Sequence, residues 1–161
     1  MNILEGATIG RDCNICDRCF IENDVVLGDR VTVKCGVSLY DGVRLEDGVF
    51  VGPDVSFSND PRPRSGIRLE VPARTTVREG ASLGAGAILL PGVTVGRHAI
   101  VGAGSLVTRN VPDFALAYGA PARRHGFVCR CGQNLRFTDG QGACACGRTY
   151  ALSEGESVTE T

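Results

Sequence analysis

The residues best placed to do chemistry are cysteines near the end of the 161-residue chain. Cys129-x-Cys131-Gly and Cys144-x-Cys146-Gly are separated by twelve residues. Two Cys pairs, each followed by Gly, read as the knuckles of a small zinc ribbon. Such knuckles usually hold two residues between thiolates, and here there is one, so free or oxidised thiols are the alternative. About thirty residues cannot bury an adequate core alone, which is why a metal staple makes sense there. Cys13, Cys16 and Cys19 form C-x-x-C-x-x-C, the outline of part of an iron–sulfur run. Arg123 and Arg124 are adjacent, and guanidinium pairs suit phosphate. Of the two histidines, His98 and His125, neither sits in a catalytic motif.

A second place for chemistry is Ser58-Asn59-Asp60-Pro61-Arg62-Pro63-Arg64-Ser65-Gly66. Two prolines and a Gly forbid a continuing strand ladder. A loop ejected from a regular scaffold is a natural carrier of function.

The scaffold is written in the spacing of apolar residues. Leu27, Val33, Leu39, Leu45, Val51 and Phe57 recur every sixth place, and Val31, Val37, Val43, Val49 and Val55 follow the first five at four places. A helix needs a 3.6 period and a long strand a period of two, so neither fits. A short strand and a turn, repeated, does fit: the hexapeptide pattern of a parallel β-helix. The register runs back through Ile21, Ile15 and Ile9 to Ile3, so the coil is expected to begin at the N-terminus with no separate leading domain. Cys13 and Cys19 then take small inward positions on different faces, as interior filling rather than cluster ligands. Beyond the loop, first positions are expected at Val71, Val77, Leu83, Leu89, Val95, Val101 and Val107. Counting the loop as one hexad puts Phe57 one coil below Leu83.

Leu83-Gly84-Ala85-Gly86-Ala87 and Val101-Gly102-Ala103-Gly104-Ser105 are near copies eighteen residues apart. With three hexads per turn they stack into a column poor in side chains, able to show backbone groups to a long, thin ligand. The coil should stop near Val111-Pro112. The expected organisation is residues 1–112 as coil, 113–128 as linker, 129–152 as Cys-rich tail and 153–161 as a frayed end.

Composition agrees. Gly, at 22 residues, is nearly double its usual share, as a turn in every hexad requires. A net charge of −1 gives no electrostatic reason to expect nucleic acid. No run of about 18 apolar residues predicts a membrane helix. The start, MNILEGATIG, does not read as a signal peptide, and a cytoplasmic location is expected.

These hexads resemble the hexapeptide-repeat acyltransferases, and within them the amino-sugar N-acetyltransferases that acetylate the 3-amino group of nucleotide-linked sugars. The likeness rests on Val37-Ser38-Leu39-Tyr40-Asp41-Gly42-Val43, on Phe50 through Asp60, on Leu89-Leu90-Pro91-Gly92-Val93-Thr94-Val95-Gly96, on Ala99 through Ser105, on Tyr118-Gly119-Ala120-Pro121-Ala122-Arg123, and on the Cys-rich tail. The resemblance implies an all-β, left-handed parallel β-helix with an ejected loop and a zinc-ribbon-like tail. It implies a homotrimer with acetyl-CoA in the groove between neighbouring coils and a nucleotide amino sugar entering from the loop side. Asn59 and Asp60 match the family's active-site pair. Gly84, Ala85, Gly102 and Ala103 match its pantetheine track, with Pro121, Arg123 and Arg124 near the nucleotide end of the cofactor. Cys129, Cys131, Cys144 and Cys146 are the expected zinc ligands.

Acyl transfer from a thioester needs a neutral amine held near the carbonyl and donors for the developing oxyanion. An amine attacks without a base stripping it first, so the lack of a catalytic His fits an amine acceptor. Asn59 is expected to orient the amine or the carbonyl, Asp60 to hold the amine and take its proton, and an amide of the Gly-Ala column to bind the oxyanion. O-acylation, transfer of another acyl group, or a non-catalytic assembly subunit are the alternatives.

Overall fold

The computed structural model describes residues 1–67, 70–153 and 157–161. Most hexads become a two-residue strand, and away from the loop and the last coil each strand pairs in parallel with the one eighteen residues on: Asn2 with Phe20, Thr8 with Val26, Asn14 with Thr32. Three flat faces result. The first stacks Asn2–Ile3, Phe20–Ile21, Ser38–Leu39, Ser56–Phe57, Ile88–Leu89 and Leu106–Val107. The second stacks Thr8–Ile9, Val26–Leu27, Val43–Leu45, Thr75–Val77 and Thr94–Val95. The third stacks Asn14–Ile15, Thr32–Val33, Phe50–Val51, Ser82–Leu83, Ile100–Val101 and Ala115–Gly119. No helix forms among the described residues, so none could cross a membrane.

The hexad folds this way because its first and fifth residues both point inward while its fourth residue turns the corner at positive φ, as at Asp54 (55°) and Gly86 (65°). The inward residues from Ile21 to Val107 make one dry stack, in which Leu27, Leu39, Leu83 and Leu89 are fully buried. Each such side chain contributes about 1.5–3 kcal/mol by leaving water. Cys13 and Cys19 belong to that wall: their thiols donate to the carbonyls of Gly28 and Lys34, both at 3.2 Å.

Four expectations need correction. Val71 is exposed, and the ladder resumes only at Thr75–Val77, against Val43–Leu45. The loop therefore replaces the whole connection between one face and the next; its residues 68 and 69 lie outside the described residues. Phe57 consequently lies below Leu89 on the first face, while Leu83 sits above Val51 on the third. Residues 113–128 are not a linker: Ala115–Gly119 extends the third face and Ala122–Val128 folds back antiparallel on it. At the end expected to fray, residues 154–156 lie outside the described residues, yet Val158–Glu160 pairs with Thr149–Leu152 and Val158 is buried.

The tail is a four-stranded antiparallel sheet with its own small core of Phe127, Cys129, Leu135, Cys144, Tyr150 and Val158. Phe114, the last corner residue of the coil, inserts into it and meets the Tyr150 ring at 5.4 Å. Its amide donates to the Arg97 carbonyl at 2.7 Å, and its own carbonyl accepts Val128 N–H at 2.7 Å, so one residue joins coil to tail.

Candidate active site and thiol cluster

The ejected loop leaves the prism at the edge between the first and second faces. Ser58 N–H still donates to Leu89 O at 3.0 Å, so Asn59 is the first residue free of the ladder. Its side-chain amide reaches the Asp41 carbonyl one coil below, at 3.5 Å. Asp60 turns the chain by accepting Arg62 N–H at 2.8 Å. Both side chains are half-buried. Below them the edge is acidic. Glu22 accepts Asp41 N–H at 2.8 Å, Asp41 accepts Asp24 N–H at 2.6 Å, and Asp24 pairs with Arg44 at 2.6 Å. That arrangement favours a cationic or amine-bearing group beside Asn59.

The Gly-Ala column occupies a different edge, between the third and first faces. A Cβ on Gly84 would lie 2.5 Å from Ala103 N, and one on Gly102 would lie 2.8 Å from Tyr118 Cβ. Glycine is thus required by the closeness of successive coils, independent of any ligand. Ala85 and Ala103 face outward, and their N–H groups donate to nothing among the described residues; Ala85 O accepts Gly104 N–H at 2.8 Å. The column offers one free amide per coil. Within one chain the width of the first face separates it from Asn59 and Asp60. The expected placement of the loop directly beneath the column is therefore corrected, because Phe57 lies on another face.

At the end of the coil a cleft of about 130 Å³ is lined by Arg109, Asn110, Val111, Pro112, Ala117, Ala122, Arg123 and Arg124. Arg123 and Arg124 both line it, whereas Pro121 stays on the exposed hairpin turn. Arg124 also lies over the Phe127 ring, 4.7 Å from its centre. Both histidines lie against aromatic rings. His98 stacks against Phe114 at 5.3 Å, and burial together with Arg130 lowers its pKa. His125 lies flat on Tyr118, with ring centres 3.7 Å apart and planes 8° apart. Sequence reasoning did not single out the cleft lining of Arg109 or the stacking of His125 on Tyr118, since the hexad pattern has ended by Tyr118 and only the folded hairpin brings His125 onto it.

The four tail thiols converge, with every pair of sulfurs within 4.8 Å, close enough to share one metal ion. The two knuckles are copies. Gly132 N–H donates to Cys129 O at 2.8 Å and Cys129 N–H to Gln133 O at 2.8 Å; Gly147 N–H donates to Cys144 O at 2.9 Å and Cys144 N–H to Arg148 O at 2.9 Å. Gly132 and Gly147 take φ of 88° and 93°, which a side chain would resist. This turn, closed at the Gly, lets one intervening residue suffice where two are usual. Around the thiols, Tyr150 Oη lies 3.1 Å from Cys129 Sγ and Arg148 donates to Cys146 Sγ at 3.4 Å. The Arg148 backbone N–H and then its guanidinium draw the Cys146 thiol down to about 6. Burial and then Cys129 push the Tyr150 hydroxyl up to about 12.

Known proteins share this architecture. Residues 6–53 match the model described as hexapeptide repeat of succinyl-transferase, and residues 74–109 match bacterial transferase hexapeptide (six repeats). Over 82 residues the chain is 53% identical to dTDP-3-amino-3,6-dideoxy-alpha-D-galactopyranose 3-N-acetyltransferase of Aneurinibacillus thermoaerophilus, a match covering 51% of this chain and 43% of that protein. Over 120 residues it is 32% identical to galactoside O-acetyltransferase of Lactococcus lactis, covering 65% and 58%. The chain spans about half the length of these curated relatives. A point mutant of GDP-perosamine N-acetyl transferase from Caulobacter crescentus, solved with CoA and GDP-perosamine, superposes with TM-score 0.57 at 30% identity over 77% of this chain and 55% of that one. Maltose O-acetyltransferase from Clostridium difficile superposes with TM-score 0.67 at 21% identity, over 76% and 70%, a likeness of fold alone. With repeat models on both sides of the loop and the same coil in solved relatives, the chain is similar to the hexapeptide-repeat acetyltransferases along its coil.

Proposed function

We propose that this protein moves an acetyl group from acetyl-CoA to the 3-amino group of a nucleotide-linked amino sugar. The observation that carries the reading is the 53% identity over 82 residues to a 3-N-acetyltransferase of a dTDP-linked amino sugar. The acidic loop edge and the absence of a histidine there agree with an amine acceptor. The cofactor lies along the Gly-Ala column, with Gly84, Ala85, Gly102 and Ala103 as its track and Pro121, Arg123 and Arg124 toward its nucleotide end. The active unit is a homotrimer in the cytoplasm, in which the loop of one copy reaches the column of its neighbour. That assembly closes the one-face gap between column and loop in a single chain.

In this reading Asn59 orients the amine or the thioester carbonyl from its tether on Asp41. The amine nitrogen attacks the carbonyl carbon, the free amide of Ala85 or Ala103 stabilises the oxyanion, and the C–S bond breaks to release CoA thiolate. Asp60 holds the amine, and the surplus proton passes through it or directly to the thiolate.

The tail serves as a structural zinc site. Zn–S bonds of about 2.3 Å in a tetrahedron place thiolates about 3.8 Å apart. The sulfurs of Cys129 and Cys146, and of Cys131 and Cys144, lie 3.5 Å apart, near that spacing and far beyond a disulfide bond at about 2.05 Å. Tyr150 and Arg148 supply the outer hydrogen bonds that such sites use to hold their ligands.

The deciding experiment is mass spectrometry of products from a panel of nucleotide-linked 3-amino and 3-hydroxy sugars with acetyl-CoA. An added acetyl on the amine alone is expected. Acetylation of the hydroxyl analogue instead, or of neither, overturns the reading.

A further inference from the structure

The strand Val158–Glu160 carries no cysteine, yet it is tied to both cysteine knuckles of the tail. It pairs antiparallel with Thr149–Leu152, and Val158 is buried in the tail core. Just beyond it, Thr161 N–H donates to Thr149 O at 2.9 Å and Thr149 Oγ1 donates to Thr161 O at 3.0 Å.

The tie to the knuckles is one side chain. Glu160 Oε2 lies 3.4 Å from Arg130 Nη1, and its Oε1 lies 3.3 Å from Arg148 Nε. Among the described residues neither arginine pairs with another carboxylate. Arg130 stands between Cys129 and Cys131, and the Arg148 carbonyl closes the second knuckle by accepting Cys144 N–H. From each arginine a contact leads on to a thiol. The Arg148 guanidinium donates to Cys146 Sγ at 3.4 Å. Arg130 N–H donates to Tyr150 Oη at 3.2 Å, and that oxygen lies 3.1 Å from Cys129 Sγ. The two routes end on sulfurs 3.5 Å apart. One carboxylate thereby closes a ring of contacts around one side of the thiol cluster.

As an ion pair this arrangement adds little to folding, because Glu160 is 33% exposed and each arginine 43%. Its effect is felt at the sulfurs. A divalent metal held by four thiolates keeps a net charge of about −2. A guanidinium fixed against a thiolate offsets that charge, whereas an untethered arginine side chain spreads over many rotamers in water.

We propose that Glu160 is a positioning residue for the metal of the tail, acting through Arg130 and Arg148. The inference rests on the structural zinc reading and deepens it: retention of the metal is assigned to a carboxylate that does not bind it. Glu160 keeps Arg148 on Cys146 and keeps Arg130 beside the Tyr150 hydroxyl that meets Cys129. Without it, the Cys129–Cys146 side of the tetrahedron opens and the metal leaves.

The test follows zinc transfer from the full-length, zinc-loaded protein to an excess of a chromophoric chelator. Glu160→Gln, nearly the same size, should speed release about tenfold or more, with one zinc per chain still bound at saturation. Thr149→Ala loosens the same strand at Thr161 without touching either arginine, and should change release far less. In a protein already carrying Arg130→Gln and Arg148→Gln, Glu160→Gln should add less than about twofold. With cobalt(II) in place of zinc, Glu160→Gln should also shift the thiolate-to-metal absorption band, which a loss of strand packing alone would leave in place. Release unchanged by Glu160→Gln, equal acceleration by Thr149→Ala, a full effect in the arginine-free background or an unshifted band overturns the role of Glu160 and leaves the zinc site standing. An unaltered protein that binds no zinc removes both.

Discussion

Asn59 has one anchor, the Asp41 carbonyl, and otherwise faces the loop side with its amide available. A residue that positions a reacting group contributes on the order of a hundredfold in rate when it acts as a single hydrogen-bond partner. Asn59→Ala should therefore cut turnover about that much in a steady-state assay, with an unchanged melting profile; kinetics equal to the unaltered protein would take the loop out of the reaction. Ser105 makes the opposite case. Its hydroxyl is buried among the inward side chains with no partner, the only such side-chain oxygen or nitrogen among the described residues. An unsatisfied buried hydroxyl costs about 1–3 kcal/mol, and the equivalent place one coil earlier is Ala87. Ser105→Ala should raise the denaturation midpoint, and a lower midpoint would show that the hydroxyl has a partner after all. At this scale the loop that carries Asn59 and Asp60 was legible in the sequence, because prolines and a Gly interrupt the hexads there. The sequence was silent on the cleft that Arg109 lines and on the stacking of His125 on Tyr118, which depend on which chain segment folds back.

Elements explain where the sequence reading succeeded and where it slipped. The period of six carried the coil because each hexad puts two side chains inside regardless of what lies above or below. Val71 deceived for the same reason: an aliphatic residue at the expected count looks like a wall residue, and only the parallel pairing of Thr75–Val77 with Val43–Leu45 shows that the loop had already consumed the connection. Residues 113–128 read as a linker because Ala115 to Ala122 is rich in small residues and holds Gly119-Ala120-Pro121-Ala122, although Ala115 and Ala117 are buried in a strand on which Ala122–Val128 folds back.

The edge between the second and third faces has its own logic, a ladder of carboxylates capping the turns of neighbouring coils. Asp29 accepts Arg11 N–H at 2.8 Å and pairs with the Arg11 guanidinium at 2.8 Å, and these contacts hold its pKa below the ordinary 3.8. A depressed pKa means the contribution is whole above 3.8 and is lost as pH falls through the lower folded value. Asp29→Asn should therefore flatten the steepest acid part of a pH–stability curve and leave its shape near neutrality; an unaltered acid limb would remove Asp29 from acid unfolding. The tail is an element of another kind, with a small core that the proposed zinc site would staple. Chelation, or Cys146→Ser, should release one zinc per chain and melt the tail, while the coil keeps its own transition. A tail as stable without metal as with it would exclude the structural zinc site.

For the whole molecule, the first face and its edge toward the loop show Phe20 and Tyr40, 6.0 Å apart, along with Ile88 and Leu90. Tyr40, Ile88 and Leu90 are each more than a third exposed in the single chain. A row of apolar groups on a rigid face is where copies would meet in the proposed trimer. Ile88→Arg should yield a monomer in light scattering and abolish acetyl transfer with the β-sheet signal intact; a monomer that still turns over would mean each chain completes its site alone.

The three-per-turn stacking has a consequence for how such a chain can change. Any insertion or loss of eighteen residues only lengthens or shortens the shaft, whereas removal of a single hexad rotates everything beyond it by a third of a revolution. The loop interrupts the coil without consuming such a step, so Leu89 still meets Phe57 and the angular phase between the two halves is kept. The hexad count between Phe57 and Gly102 decides which corner of the shaft faces the loop.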